Sequence, residues 1–367
     1  MGIKNYTKLL AVAAALLFSI SSCKKEEEKQ ATRQVAVNLP STLALIYGEE
    51  TDIALPEDLL KQSHINFRLE FNETDNTQIN NSSKLHDKLA KAITIDRNQG
   101  KIHVDSRLLY PNGAVSAVTG SKIPDNYKVT VIASSSQEAL EGKQTLAIKI
   151  APARLNIKGV DNKNEVPFAY VLYSNADASF ELEAPSVPLD GTAWHLGTEG
   201  NLGSVVSLKG NQIQFSASAG DPKKKAEQAY DLVPALQKDG FSIALRSFRV
   251  VFIPQIKFFY GTYYSDLDLT LLFNQIHIAL SNGYISAAPT LYPENYKSTF
   301  SLTSIEKDGV AFDNKDGLFE LNTKTGAITV KQNSVLQAGR YKFIVKALTT
   351  TGLEFSTDLT LIMSKDE

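Results

Sequence analysis

Two segments far apart in this chain carry one pattern, and that pattern leaves room for few folds. The first is Ile93-Thr-Ile-Asp-Arg-Asn-Gln-Gly100-Lys-Ile102-His-Val104; the second is Phe319-Glu-Leu-Asn-Thr-Lys-Thr-Gly326-Ala-Ile328-Thr-Val330. Each is a short alternating apolar run, a polar turn ending in Gly, and a second alternating run. Gly supplies the positive φ that such a turn needs, so each segment predicts a β-hairpin. The strands after the hairpins match too: Tyr127-Lys-Val129-Thr-Val131-Ile-Ala133 parallels Tyr341-Lys-Phe343-Ile-Val345-Lys-Ala347. Period-2 alternation puts Tyr, an apolar residue, Val and Ala on one face, as a half-buried strand requires. Each copy then closes on a further alternating run, Leu146 to Ile150 and Leu359 to Met363. The expected fold is mainly β, a tandem of antiparallel β-sandwich modules.

The order "apolar-x-apolar-Asp/Asn, polar turn, Gly-x-Ile-x-Val", then "Tyr-x-apolar-x-Val-x-Ala", resembles the end of a cadherin-like or related immunoglobulin-like repeat, and covers roughly 60 residues of each copy. Calcium-binding members of that group carry acidic motifs after the Gly turn and after the Tyr strand. Here Val104-Asp105-Ser106-Arg107 and Lys331-Gln332-Asn333 occupy the first place, and Ser134-Ser135-Ser136 and Leu348-Thr349-Thr350 the second. A hard cation takes six to eight oxygens, several of them carboxylate, so no inter-module calcium is expected. Asp313-Asn-Lys-Asp316-Gly is acidic, but Lys315 interrupts it and a solvated turn accounts for it. The first copy is longer between Gly100 and Tyr127 than the second between Gly326 and Tyr341. The extra stretch, Leu108 to Gly120, is a loop insertion, and binding often sits on loops carried by a rigid scaffold. Leu85 and Leu89, four apart within Ser82 to Ile93, suit a short helix.

The N-terminus gives a location. Lys4 and Lys8 precede an apolar segment, Leu9 to Phe18, and Ile20-Ser21-Ser22-Cys23 comes next. A basic start, a short apolar core and small residues describe a secretory signal, and the segment is too short to span a bilayer. Small residues ending in Cys resemble a lipobox, which implies a diacylated Cys23 at the mature N-terminus. Lys24-Lys25-Glu26-Glu27-Glu28-Lys29-Gln30 then reads as a solvated tether. It also resembles the export signal of Bacteroidetes surface lipoproteins. The expected location is therefore the outer membrane, lipid-anchored and facing the exterior, with the periplasmic face as the alternative. Cys23 is the only cysteine, so no disulfide or thiolate metal site remains for the fold. A 43% hydrophobic and 21% charged chain folds by core burial, and a net charge of −2 argues against nucleic acid.

The middle of the chain does not obviously repeat the pattern. Gly191-Thr-Ala-Trp194-His195-Leu-Gly197-Thr-Glu-Gly200-Asn-Leu-Gly203 reads as a Gly-rich loop holding the only Trp, and fits no phosphate-binding motif. Asp221-Pro222 predicts a helix start, with the helix ending near Pro234. Apolar strands are expected over Phe241 to Ile253, Ile256 to Tyr260, Leu267 to Phe273 and Ile276 to Leu280. Between them, Phe258-Phe259-Tyr260-Gly-Thr-Tyr263-Tyr264-Ser-Asp266-Leu-Asp268 packs five aromatics around a Gly turn. Aromatic faces can cover the C–H side of a pyranose while acids accept its hydroxyls. Trp194, Tyr260, Tyr263, Tyr264 and Asp266 are therefore the glycan-binding candidates, with core packing of alternate aromatics as the competing reading, favoured for Phe258 and Phe259.

No catalytic residue, metal ligand or cofactor is assigned. His64, His86, His103, His195 and His277 lie far apart, no Gly-x-Ser-x-Gly elbow appears, and Asp266 and Asp268 are one strand pair where a glycosidase uses carboxyls from different strands. The expected organisation is 1–22 signal, 23–36 tether, 37–153 sandwich, 154–285 middle domain and 286–367 sandwich. The layout is similar to that of glycan-binding lipoproteins of polysaccharide-utilisation systems. That resemblance implies capture of polysaccharide or oligosaccharide and a partnership with an outer-membrane transporter or other surface lipoproteins, with membrane contact through the lipid anchor only. The alternatives are a structural or adhesive protein-binding role and, less favoured, a polysaccharide-degrading enzyme.

Overall fold

A computed structural model describes residues 32–365 apart from 136, 176, 177, 198–200, 221–225 and 298. The signal, Cys23 and the tether as far as residue 31 lie outside the described residues, as do Asp221 and Pro222. Among the described residues no helix is long and apolar enough to cross a membrane.

Three copies of one sandwich make up the described residues. In the first, Leu140–Ala151 pairs antiparallel with Tyr127–Ser135, which pairs with Ile65–Phe71; Thr42–Ile46 runs parallel along the other edge of Leu140–Ala151. The opposing sheet is Glu50–Ala54, Lys101–Asp105 and Ile93–Asp96. The last copy repeats this strand for strand. Gln275–Ala279 runs parallel to Glu354–Ser364, then come Gly339–Leu348 and Thr299–Lys307, facing Tyr284–Ile285, Ile328–Val330 and Phe319–Leu321. Both predicted hairpins form, with Gly100 at φ 64° and Gly326 at φ 79°. Tyr127, Val129, Val131 and Ala133 are buried together, as are Tyr341, Phe343, Val345 and Ala347. The short helix also forms, Leu85–Ala92, with Leu85 and Leu89 buried.

The middle segment has the same plan. Ala153–Arg154 runs parallel to Phe241–Leu245, next to which lie Gln228–Lys238 and Thr192–Gly197. The opposing sheet orders Ser179–Glu183, Gln212–Phe215 and Val206–Lys209. It is a repeat enlarged by Phe248–Ile253 and Phe168–Leu172, which extend its first sheet. The helix expected up to Pro234 is replaced, over its described part, by the strand Gln228–Lys238. Pro234 is tolerated because that strand changes neighbours there: residues to Leu232 pair with Phe248–Ile253, and those from Ala235 with Phe241–Leu245. A missing N–H costs least where no ladder bond is due.

Boundaries follow the cores. Gln275–Ala279 is the first strand of the last sandwich, so packing changes hands near residue 274 rather than 285. At the other end, Arg33 and Gln34 already pair with Leu140 and Glu141, so the described end of the tether is part of a sheet. The first junction is close-packed: Leu236, Phe241 and Ile243 of the middle repeat belong to the first core. The insertion after Gly100 lies at this junction. Ala117 N–H donates to Gly240 O at 2.9 Å, Ser116 Oγ donates to Asp239 O at 3.1 Å, and Tyr110 Oη donates to the Asp239 carboxylate. It grips the next repeat's turn.

Candidate binding surfaces

The aromatic run divides. Lys257–Phe259 pairs with Thr290–Tyr292, Phe258 stacks on Phe300 at 5.9 Å, and Phe259 is half-buried. Tyr260 is only 2% exposed and its hydroxyl donates to Gly326 O at 2.8 Å. Burial pushes its phenol pKa far above the ordinary value. Tyr260 is thus a core residue and no part of a binding face, a correction that alternation alone could not supply. Its ring anchors the connector onto the hairpin turn of the last repeat.

Beyond Tyr260 the chain leaves the core. Gly261–Tyr264 and Leu269–Leu272 form an isolated two-stranded hairpin, with Thr262 opposite Leu271 and Tyr264 opposite Leu269. Because facing residues share a side, Tyr264, Leu269, Leu271 and Phe273 belong to one face. All four are exposed, Phe273 by 56%, and Leu267 at the turn by 69%. The other face holds Tyr263, which meets Tyr292 at 4.9 Å between ring centroids. The Tyr263 hydroxyl donates to Asp268 Oδ1 at 2.6 Å, and Lys257 Nζ lies 4.2 Å from its ring centre and 2.9 Å from the same Asp268 oxygen. The Asp268 hydrogen bond raises the Tyr263 and Lys257 pKa values. Asp266 and Asp268 lie in the turn rather than on a strand face, and Asp266 is exposed. Of the candidates, only Tyr263, Tyr264 and Asp266 sit on this hairpin.

Trp194 is elsewhere. It lies on the strand Thr192–Gly197, opposite Leu236, not in a loop. Its half-buried ring packs against both the first and the middle core. The Trp194 ring is therefore mortar between two repeats, and the expected five-residue cluster does not assemble.

A second surface escapes sequence reading because its members come from three strands. On the outer face of the middle sheet, register places Phe168, Arg249 and Asp231 in one row and Tyr170, Val251 and Ala229 in the next. They line a groove of about 640 Å³, within the usual range for ligand sites. Phe168 is 48% exposed and meets Tyr170 edge-on at 5.7 Å. Arg249 pairs with Asp231 through two bonds, 2.6 and 2.9 Å, which hold the Asp231 carboxyl below the usual range. Alternation in Phe168–Leu172 is the only signal the sequence offers for it.

Among the described residues, no three His, Cys, Asp or Glu side chains are grouped to hold a metal ion. His103 Nδ1 lies 2.7 Å from Asp52 Oδ1 and His86 Nε2 lies 3.0 Å from Asn72 O, each in a separate local contact.

No family model matches the chain, and no curated protein matches it. Solved structures similar to it include extracellular domains 3–5 of Drosophila OTK (12% identity, 91% of this chain and 97% of that one, TM-score 0.32). Immunoglobulin domains 1–4 of Sidekick-1 match at 11% identity over 90% and 76%, with TM-score 0.31. Drosophila N-cadherin EC1-3 matches at 13% over 90% and 100%, with TM-score 0.29. At such scores these likenesses decide nothing about function. The strand order itself makes this chain a tandem of immunoglobulin-like and cadherin-like β-sandwich repeats.

Proposed function

We propose that this chain is a lipid-anchored surface protein that holds another protein through the hairpin Gly261–Leu272. The observation that carries the reading is the hairpin's open apolar face. Large contiguous apolar surface is rare on monomers and marks contact sites. Leu269–Leu272 pairs with one strand only, so its outer edge also offers unpaired backbone groups. The partner suited to it is an extended apolar segment that adds a strand along that edge, as a transporter or neighbouring lipoprotein can present. Membrane insertion fits less well, because Asp266 and Asp268 sit at the tip. Full burial of an apolar side chain contributes about 1.5–3 kcal/mol, and these are already half covered. Four or five of them offset only part of the cost of association, so a weak contact reinforced by many anchored copies is the expected mode.

The test is a photo-crosslinking residue at Leu271 in the anchored protein on its own cells, with Lys342 on the third repeat as the control site. A polypeptide adduct at Leu271 only, lost when Leu269→Asp is added, supports the reading. Adducts to lipid, equal adducts at both sites, or none would overturn it.

Glycan capture stays as a second reading on the groove of Phe168 and Tyr170, whose aromatic faces lie beside the Arg249–Asp231 pair. Affinity electrophoresis against a polysaccharide panel tests it: retardation lost on Phe168→Ala and kept on Tyr264→Ala supports the groove. Absence of retardation by every glycan removes it.

A further inference from the structure

We propose that the first junction holds a small oxyanion, a phosphate or sulfate group, between the first and second repeats. A cavity of about 180 Å³ there is lined by Lys88 and Lys91 from the helix Leu85–Ala92, by Arg107, and by Lys238 from the middle repeat, over Leu109 and Tyr110. Four cations meet on one small volume, and the two repeats both contribute.

The local acids do not neutralise them all. Arg107 is answered by Asp105, Nε to Oδ1 at 2.8 Å, and by Glu50 at 2.5 Å, yet its Nη1 makes no hydrogen bond among the described residues. Lys88 stands 3.9 Å from Asp239, whose carboxylate already accepts from Tyr110 and from Asn80 Nδ2 at 3.2 Å. The ammonium groups of Lys91 and Lys238 make no hydrogen bond or ion pair among the described residues. Lysines facing one cavity repel one another, and an anion accepting from several at once replaces that repulsion with charge-assisted bonds. Size selects the ligand: the cavity falls below the 300–1,000 Å³ typical of sites for larger organic ligands, which leaves an ion or the charged end of an ester. Arg and Lys are the side chains that bind phosphate and sulfate best.

Lys238 leads directly into the Asp239–Gly240 turn that Tyr110, Ser116 and Ala117 grip, so an ion bridging Lys238 to Lys88 and Lys91 would brace the junction. The site is independent of the hairpin and of the groove.

The experiment is calorimetric titration of the full chain with inorganic phosphate and with sulfate at constant ionic strength held by chloride. A saturable site is expected, weakened at least tenfold by Lys91→Gln with Lys238→Gln and unchanged by Lys342→Gln. Lys91→Ala alone, at an exposed position, gives the same direction without risk to the fold. No saturable binding, or equal binding by the parent and the double variant, would overturn the proposal. A parallel titration with glucose 6-phosphate distinguishes the sources: tighter binding than inorganic phosphate assigns an ester, weaker or equal binding the free ion.

Discussion

The two junctions between repeats share apolar packing and differ in what is added to it. The first closes on itself: apolar side chains of the middle repeat complete the first core, and the Asp239 turn is held by Tyr110, Ser116 and Ala117. At the second, Val251 and Ile253 of the middle repeat likewise enter the third core, and a longer connector spans the step. One end of it, Tyr260, is locked beneath the Gly326 turn, while the other projects as a hairpin whose apolar face stays open among the described residues. The first junction leaves little apolar surface for a partner; what it offers is the positive charge of Lys91 and Lys238. A connector with surplus apolar surface has something to offer one.

That contrast can be broken at its strongest point first. Tyr260→Ala removes a ring buried in the third core and should cost about 3–5 kcal/mol, read by chemical denaturation of the third repeat's transition. Tyr260→Phe keeps the ring but strands the Gly326 carbonyl, and should cost about 1–3 kcal/mol. If Tyr260→Ala proves neutral, the connector is not anchored as described.

At the first junction, Tyr110→Phe removes a donor to a charged acceptor and should cost about 1.5–3 kcal/mol. The same contact has a pH signature. Burial raises the Asp239 pKa, but hydrogen bonds from Tyr110 and Asn80, with Lys88 and Lys238 nearby, outweigh it and leave the value below that of a free carboxyl. A lowered folded pKa stabilises above the unfolded value of about 3.9 and loses its effect as pH falls through the folded value. Asp239's contribution should therefore be constant from neutral pH down to mildly acidic pH and vanish below that. Melting curves of the parent and Tyr110→Phe should converge at the acid end; parallel curves throughout would exclude the contact.

The hairpin should show the smallest effects on stability. Leu269→Ser with Leu271→Ser, on exposed positions, should move it by no more than about 0.5 kcal/mol each while lowering binding of a hydrophobic dye. A loss of several kcal/mol would mean the face is covered. Lys257→Met removes an exposed ion pair and a cation–π contact, and should cost under about 1 kcal/mol, with the loss shrinking as salt is added to screen the pair.

Much of this fold is legible in the chain. Alternation in Tyr127–Ala133 and Tyr341–Ala347 fixes which residues go inward, because a strand buried on one face has a period of two whatever surrounds it. Gly100 and Gly326 mark the hairpins for an equally local reason, the positive φ. The middle repeat hides because its signals are non-local: its strand order is the same, but Pro234 and the preceding Asp-Pro suggest a helix where a strand changes partners.

The fate of the aromatics lies beyond local reasoning. Tyr260 and Tyr264 are four residues apart with similar neighbours, yet one is sealed and the other 44% exposed. Which face of a strand is apolar is written in its alternation; whether anything lies over that face depends on elements distant in sequence, such as the Gly326 turn above Tyr260. The same holds for the row Phe168, Arg249 and Asp231 and for the lysines about the first junction. The repeat, its hairpins and its inward faces are properties of the chain alone, since they follow from backbone periodicity and steric limits. Which apolar faces find cover, and which charges are brought together, waits on how the repeats meet in space, because both depend on residues that no local pattern connects.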